Sequence, residues 1–236
     1  MIDLRLISLC LAVALLPGTV AATLTNGGSF APSAAAITFA TPGDGGATQD
    51  PSYTLATPGG AVTVSFAAYF DGQTLDLDFP YSLAPHQPSN PLTLAHNALA
   101  TAEITDDGEP LATNPVLSGP FSFLGPIAIR FSVPVLAAGL RVGYLDDPGT
   151  ITIEAYDADG NSLGTVTSTE IGFETFNLSL SAPGGISGLS IFGEIEQFAI
   201  DDVTFKVAAL PEPATMGILA LSFAGTMLLR RNIRRR

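Results

Sequence analysis

Ile127-Ala128-Ile129-Arg130-Phe131-Ser132-Val133 decides the fold. Large apolar side chains fall at every second position, with small or polar residues between them, and a period of two belongs to a strand with one face on a core. The pattern repeats outward in both directions. Val62, Val64 and Phe66 alternate with Thr63, Ser65 and Ala67; Leu75, Leu77 and Phe79 alternate with Thr74, Asp76 and Asp78. Later come Ile151 to Glu154, Phe173 to Leu180, Ile186 to Phe192 and Phe198 to Val207. Turn residues separate them, at Pro58-Gly59-Gly60, Asp71-Gly72, Asp107-Gly108, Asp147-Pro148-Gly149, Asp159-Gly160 and Pro183-Gly184-Gly185. No internal stretch has a capped helical period. About nine to eleven short strands at this spacing predict an all-β chain, an antiparallel β-sandwich of jelly-roll type. The proline-rich stretch Tyr81 to Asn97 breaks the rhythm and reads as a long loop, where sandwiches place binding surfaces.

Both ends of the 236-residue chain differ from this middle. Arg5 followed by the apolar run Leu6 to Leu16, with Thr19-Val20-Ala21-Ala22 behind it, reads as a signal peptide over residues 1–22, cut by signal peptidase after Ala22. Cys10 is the chain's one cysteine and lies inside that segment, so the mature chain has no disulfide, thiol nucleophile or thiolate metal site. At the other end, Pro211-Glu212-Pro213 precedes sixteen uncharged residues from Ala214 to Leu229, then Arg230, Arg231, Arg234, Arg235 and Arg236. As a helix that run reaches about 24 Å, a single transmembrane span slightly short of the ~30 Å hydrocarbon core. Snorkelling arginines close the gap and hold the basic end in the cytoplasm, leaving Pro-Glu-Pro just outside the membrane.

Between the ends lie residues 23–210, enough for one domain with a full core. The segment carries 20 carboxylates against Arg130, Arg141 and Lys206, a net of −17 where the whole chain has −13. Such a surface repels nucleic acid and anionic headgroups and attracts divalent cations or cationic partners.

The ordered tail of Pro-Glu-Pro, apolar span and arginines resembles the PEP-CTERM sorting tail of Gram-negative bacteria, also known as the C-terminal domain of ice-binding proteins. The resemblance covers residues 211–236 and implies a membrane-anchored precursor whose tail is removed by exosortase during export. A second resemblance covers roughly residues 125–207. Ile151-Thr152-Ile153-Glu154-Ala155-Tyr156-Asp157-Ala158-Asp159-Gly160-Asn161, Gly185-Ile186, and Phe198-Ala199-Ile200-Asp201-Asp202-Val203-Thr204-Phe205 are similar to closing strands of jelly-roll domains in exported PEP-CTERM proteins, themselves similar to carbohydrate-binding and lectin-like sandwiches.

Asp201-Asp202 is the most pointed polar pair. Phe198 and Ile200 share one strand parity, whereas Val203, Phe205 and Val207 have the other, so the apolar phase switches at the aspartates. Either a β-bulge sits there or the strand is apolar on both faces. One carboxylate then turns toward the core or its rim, where an unpaired charge is costly. A structural Ca²⁺ ligated by Asp201 and Asp202, or a charge pair with Arg130 or Arg141, would offset that cost.

Asp157-Ala158-Asp159-Gly160-Asn161 begins like a calcium loop, but its glycine, Gly160, is fourth where the sixth position, Ser162, must be glycine, and Ser168 stands where the bidentate Glu belongs, so it reads as a hairpin turn. Asp76 and Asp78, about 7 Å apart on one strand face, would suit a glycosidase pair, yet no Trp exists to stack on a sugar. His86 and His96 lie ten residues apart without metal-ligand spacing. No nucleophile elbow, phosphate loop or basic-aromatic surface is present. The expectation is therefore a non-enzymatic protein of the envelope or extracellular matrix whose sandwich binds or scaffolds exopolysaccharide. The alternative is a secreted carbohydrate-active hydrolase. Ice binding ranks last because regular Thr-x-Thr ladders are missing.

Overall fold

The computed structural model describes residues 23–78, 81–106, 115–121, 123–181, 184–193 and 197–208. The expected signal peptide, Pro211-Glu212-Pro213, the apolar run and the terminal arginines lie outside the described residues, within which no helix is long and apolar enough to cross a membrane.

Fourteen strands are present among the described residues: β1 (Leu24–Asn26), β2 (Ser52–Thr57), β3 (Gly60–Ala67), β4 (Thr74–Leu75), β5 (Leu83–Ala84), β6 (Glu103–Thr105), β7 (Val116–Ser118), β8 (Ile127–Val135), β9 (Ala137–Leu145), β10 (Ile151–Tyr156), β11 (Ser162–Thr167), β12 (Gly172–Leu180), β13 (Ile186–Gly193) and β14 (Ala199–Lys206). A three-residue 3-10 turn at Asp44–Gly46 is the only helical element there. The first sheet runs β1-β12-β9-β14-β7-β6, the second β11-β10-β13-β8-β3-β2, and β4 pairs with β5 alone. Neighbouring strands are antiparallel. The protein is a jelly-roll-like antiparallel sandwich, as the alternation predicts.

The alternating residues meet where the pattern puts them. Val64, Phe66, Ile129 and Phe131 from the second sheet share one core with Leu140, Val142, Ile200 and Phe205 from the first. Phe131 and Phe205 touch across the sheets at 5.8 Å between ring centroids.

The Tyr81–Asn97 stretch is mostly loop, as expected, and part of it covers the second sheet. Phe70 and Leu92 pack against Ala128 and Tyr156 on the outward face of the second sheet. Arg130 Nε donates to the Leu92 carbonyl oxygen at 2.8 Å, and burial lowers the guanidinium from its usual range. The Tyr156 hydroxyl lies 2.9 Å from both Glu154 Oε2 and the His86 carbonyl oxygen. Burial, then the Glu154 carboxylate, raises the phenol above its ordinary value. Gly188 is what lets the cover close: a Cβ there would sit 2.7 Å from both Leu92 Cδ2 and Phe70 Cζ.

Two further expectations change. The alternation over residues 74–79 does not make one strand: β4 stops at Leu75, and Asp76 Oδ1 accepts the Asp78 amide at 3.0 Å in a local turn. Asp76 and Asp78 therefore do not share a strand face, because an Asx turn competes with the ladder. The strand count exceeds the expected nine to eleven because β1, β4, β5, β6 and β7 have only two or three residues each, too short for a period.

Candidate functional site

Leu117, Val142 and Ile200 lie in the central core. Their sequence neighbours on β7, β9 and β14 therefore point outward from the first sheet. The registers align two outward rows. One runs Glu103–Ser118–Ala199–Gly143–Phe173. The next contains the pairs Thr105–Val116, Asp201–Arg141 and Thr175–Arg141.

At the β6–β7 edge this face sinks into a groove of about 240 Å³. Glu103, Thr105 and Ser118 line it, together with Phe121, Phe123, Ala98, Leu99 and Thr101. The aromatic wall comes from Gly119-Pro120-Phe121-Ser122-Phe123-Leu124-Gly125-Pro126, the link between β7 and β8. Its ends are pinched so closely that a Cβ on Gly119 would lie 2.0 Å from the Gly125 carbonyl oxygen. The Gly125 amide donates to the Pro120 carbonyl at 2.9 Å, and the Phe198 amide to that of Phe123 at 2.9 Å. The pinch holds both phenylalanines left-handed, at φ 61° and 73°. Phe121 stacks on Tyr81 at 4.2 Å, and Phe123 tilts against Tyr144 at 5.5 Å.

Beside the groove is a notch of about 10 Å³, lined by Arg141, Tyr144, Phe173 and Asp201 among others. The Arg141 guanidinium sits 4.6 Å from the Phe173 ring centroid, a cation–π contact on an aromatic that is itself half-buried. Tyr144 (φ 68°) and Asp202 (φ 52°) are also left-handed, so four of the six non-glycine positive-φ residues among those described flank the groove and notch. Each such residue costs about 1–3 kcal/mol and persists where its surroundings over-determine it, a clustering typical of binding sites.

The β14 register shifts between Asp201 and Thr204, which is the bulge that the phase switch requires. It sends Ile200, Val203 and Phe205 alike into the core and leaves Asp201 outward but only 5% exposed, directly across from Arg141. Asp202, at the bulge, is half-buried. Among the described residues no group of three or more His, Cys, Asp or Glu converges on a metal-sized position. The Asp157–Asn161 turn joins β10 to β11 as expected: Asp157 Oδ1 accepts the Asp159 and Asn161 amides at 2.9 Å each. His86 and His96 are both exposed, and the His86 ring tilts against Phe192 at 5.2 Å.

The groove residues escape a strand-by-strand reading because they come from two short stretches, within 98–105 and 118–123, that only the β6–β7 pairing brings together. One local signal exists: two phenylalanines flanked by paired Gly-Pro steps, outside any alternating run.

The molecule is thus a β-sandwich with a built outer groove, joined to a tail of distinctive composition. Residues 209–235 match the PEP-CTERM protein-sorting motif, so the chain carries that sorting signal at its C-terminal end. No curated protein matches the chain. Similar solved structures include a mutant of a family 29 carbohydrate binding module, at 9% identity and a TM-score of 0.32, covering 49% of this chain and 84% of that one. They also include the family 11 carbohydrate-binding module of a cellulosomal cellulase of Clostridium thermocellum, at 13% identity and 0.27, covering 60% and 98%. The enzymatically active domain of a bacteriophage CBA120 tailspike protein matches at 15% identity and 0.27, covering 46% and 18%. Likenesses of this degree carry no argument about ligand, and the reading that follows rests on the geometry of the groove.

Proposed function

We propose that this is a non-enzymatic, exported protein of the cell envelope or extracellular matrix whose sandwich binds a polysaccharide strand in the β6–β7 groove. The observation that carries the reading is the groove itself: two phenylalanines, three hydroxyl-bearing side chains and one carboxylate line it. Flat apolar rings cover the C–H faces of a sugar while hydroxyl and carboxylate oxygens accept from its rim, the mixture that small-ligand sites use. Glu103 is the one carboxylate on the groove lining among the described residues, whereas glycoside hydrolysis uses two flanking the scissile bond. That favours binding over cleavage.

In this reading signal peptidase removes residues 1–22, the apolar tail span holds the precursor in the inner membrane of a Gram-negative bacterium, and exosortase acts at Pro211-Glu212-Pro213. The test is an array of bacterial exopolysaccharides probed with wild type, Phe121→Ala and Glu103→Gln. Each substitution is expected to lower affinity about tenfold, the effect of about 1.4 kcal/mol. Silence of the wild type across the array leaves a structural role only, and release of reducing sugar abolished by Glu103→Gln favours the hydrolase.

A further inference from the structure

We infer that the precursor stands on the membrane with one pole of the sandwich against the lipid headgroups and the groove at the opposite pole, so that the groove is open before the tail is cut. The inference rests on the anchored precursor proposed above.

The pairing places both chain ends at one pole. Thr25 pairs with Ser179, Ser179 with Ala137, and Ala137 with Lys206. The Thr23 amide donates to Ser181 Oγ at 3.0 Å, and the Leu136 amide to the Lys206 carbonyl at 2.6 Å. The β2–β3 turn joins the same pole, since a Cβ on Gly59 would lie 3.2 Å from the Ala208 carbonyl oxygen. Five residues, 209–213, separate Ala208 from the uncharged run that starts at Ala214. Fully extended they span at most about 18 Å. No other pole can face the bilayer on so short a tether.

The surface at this pole suits that neighbour. Val133 and Leu136, two of the five exposed large aliphatics among the described residues, flank the β8–β9 corner at 40% and 41% exposure. Lys206, the only lysine of the chain, is exposed beside them. The described segments that meet there, 23–25, 57–60, 132–137, 184–186 and 205–208, contain no Asp or Glu, although the domain holds 20. The β10–β11 turn, Asp157–Asn161, is at the same end of the second sheet, because Tyr156 pairs with Gly188, two residues from Ile186, and it brings Asp157 and Asp159 to the edge of that pole. The patch around Lys206, with one cation, two aliphatics and its acidic turn confined to the β10–β11 edge, meets an anionic headgroup layer with less repulsion than the rest of the surface would suffer.

The groove lies at the other end of the same strands. Tyr144 and Phe173 are at the far end of β9 and the near end of β12, and Ala199 opens β14, which Lys206 closes. Seven residue steps along β9 separate Ala137 from Tyr144, about 23 Å of strand.

The test uses the full chain with Cys10→Ser, which leaves it without cysteine, and one cysteine introduced as Leu136→Cys or Leu99→Cys. Each is labelled with an environment-sensitive fluorophore and reconstituted into phosphatidylethanolamine–phosphatidylglycerol vesicles containing a headgroup nitroxide lipid. The label at position 136 is expected to be quenched at least fivefold more than that at 99. Inserting about 20 Gly/Ser residues after Ala208, with an r.m.s. reach of about 25 Å, is expected to remove most of the difference. Chain recovered with the vesicles but quenched equally at both positions overturns the orientation. Quenching at 136 that survives the insertion overturns the tether as its cause. Chain that fails to co-sediment with vesicles sinks the anchored precursor instead.

Discussion

Asp201→Asn separates the two ways in which the structure can hold a carboxylate that is 5% exposed. The bulge sets Asp201 opposite Arg141, and directly opposed residues have Cβ atoms about 4.5–5.5 Å apart. Two unit charges about 4 Å apart attract by about 4 kcal/mol at the effective dielectric of a protein surface, and desolvation of the carboxylate cancels part of that. A net loss of about 2 kcal/mol follows for the asparagine variant. A domain of this size loses about 2–4 °C per kcal/mol, so its melting temperature should fall by about 4–8 °C. Arg141→Gln should cost a similar amount, and the double variant less than the sum, because both remove the same attraction. The assay is thermal unfolding of all four proteins, in calcium and in chelator. Calcium at the Asp201-Asp202 bulge stays a proposal, and the same scans test it. A site filled at about 100 times its dissociation constant adds about 2.7 kcal/mol, so chelation would then lower the wild-type midpoint by several degrees. A wild-type midpoint that drops in chelator, with Asp201→Asn insensitive to it, refutes the charge-pair reasoning. Equal curves in both buffers refute the metal.

Glu212→Ala should leave an uncut, membrane-retained precursor in cells that contain exosortase, read by fractionation and intact mass; a wild-type mature form still carrying Arg236 defeats the sorting reading. Gly188→Ala drives a methyl into Leu92 and Phe70 at 2.7 Å, which overpacks the cover for about 2 kcal/mol and should open residues 70–95 to faster hydrogen exchange. Burial and the Asp44 carboxylate push Tyr53 up to about 12, so its folded value exceeds the unfolded one near 10. The stability it contributes is then complete below about pH 10 and is lost between about 10 and 12. Alkaline unfolding monitored with phenolate absorbance should show that loss, and Tyr53→Phe should flatten it.

The long strands were legible because one of their faces meets a core that nothing else can fill. Ile127, Ile129 and Phe131 are fully buried, and their period of two leaves no alternative element. Legibility fails where the second face is also covered. Ala128 and Arg130 read as outward and solvated, yet Ala128 is fully buried and Arg130 half-buried beneath Leu92. The covering residues arrive from a segment about 40 positions away, and only its prolines and lack of period are visible locally. At Asp76 the failure is of another kind. A side chain able to satisfy the amide two residues on removes the need for a strand partner, and alternation alone cannot register that competition.

The Asp201-Asp202 switch could be read because a bulge writes itself into sequence as a change of parity. The groove could not. The row that joins it to the notch draws single residues from β6, β7, β14, β9 and β12, with Glu103 and Ser118 in the groove and Ala199, Gly143 and Phe173 in the notch, and each is unremarkable on its own strand. Small residues at Ala199 and Gly143 keep the middle of that row low, and the Gly119–Gly125 pinch raises Phe121 and Phe123 beside it. The chemistry of the face is therefore a property of register. A one-residue slip of β14 against β9 would exchange Asp201 for Ile200 opposite Arg141, exposing an isoleucine and burying a carboxylate in the core. The bulge forbids that slip, since with Val203 and Phe205 already inward only one pairing satisfies both halves of the strand. The feature that fixes the last strand on its neighbours is thus also the one that fixes the notch beside the groove.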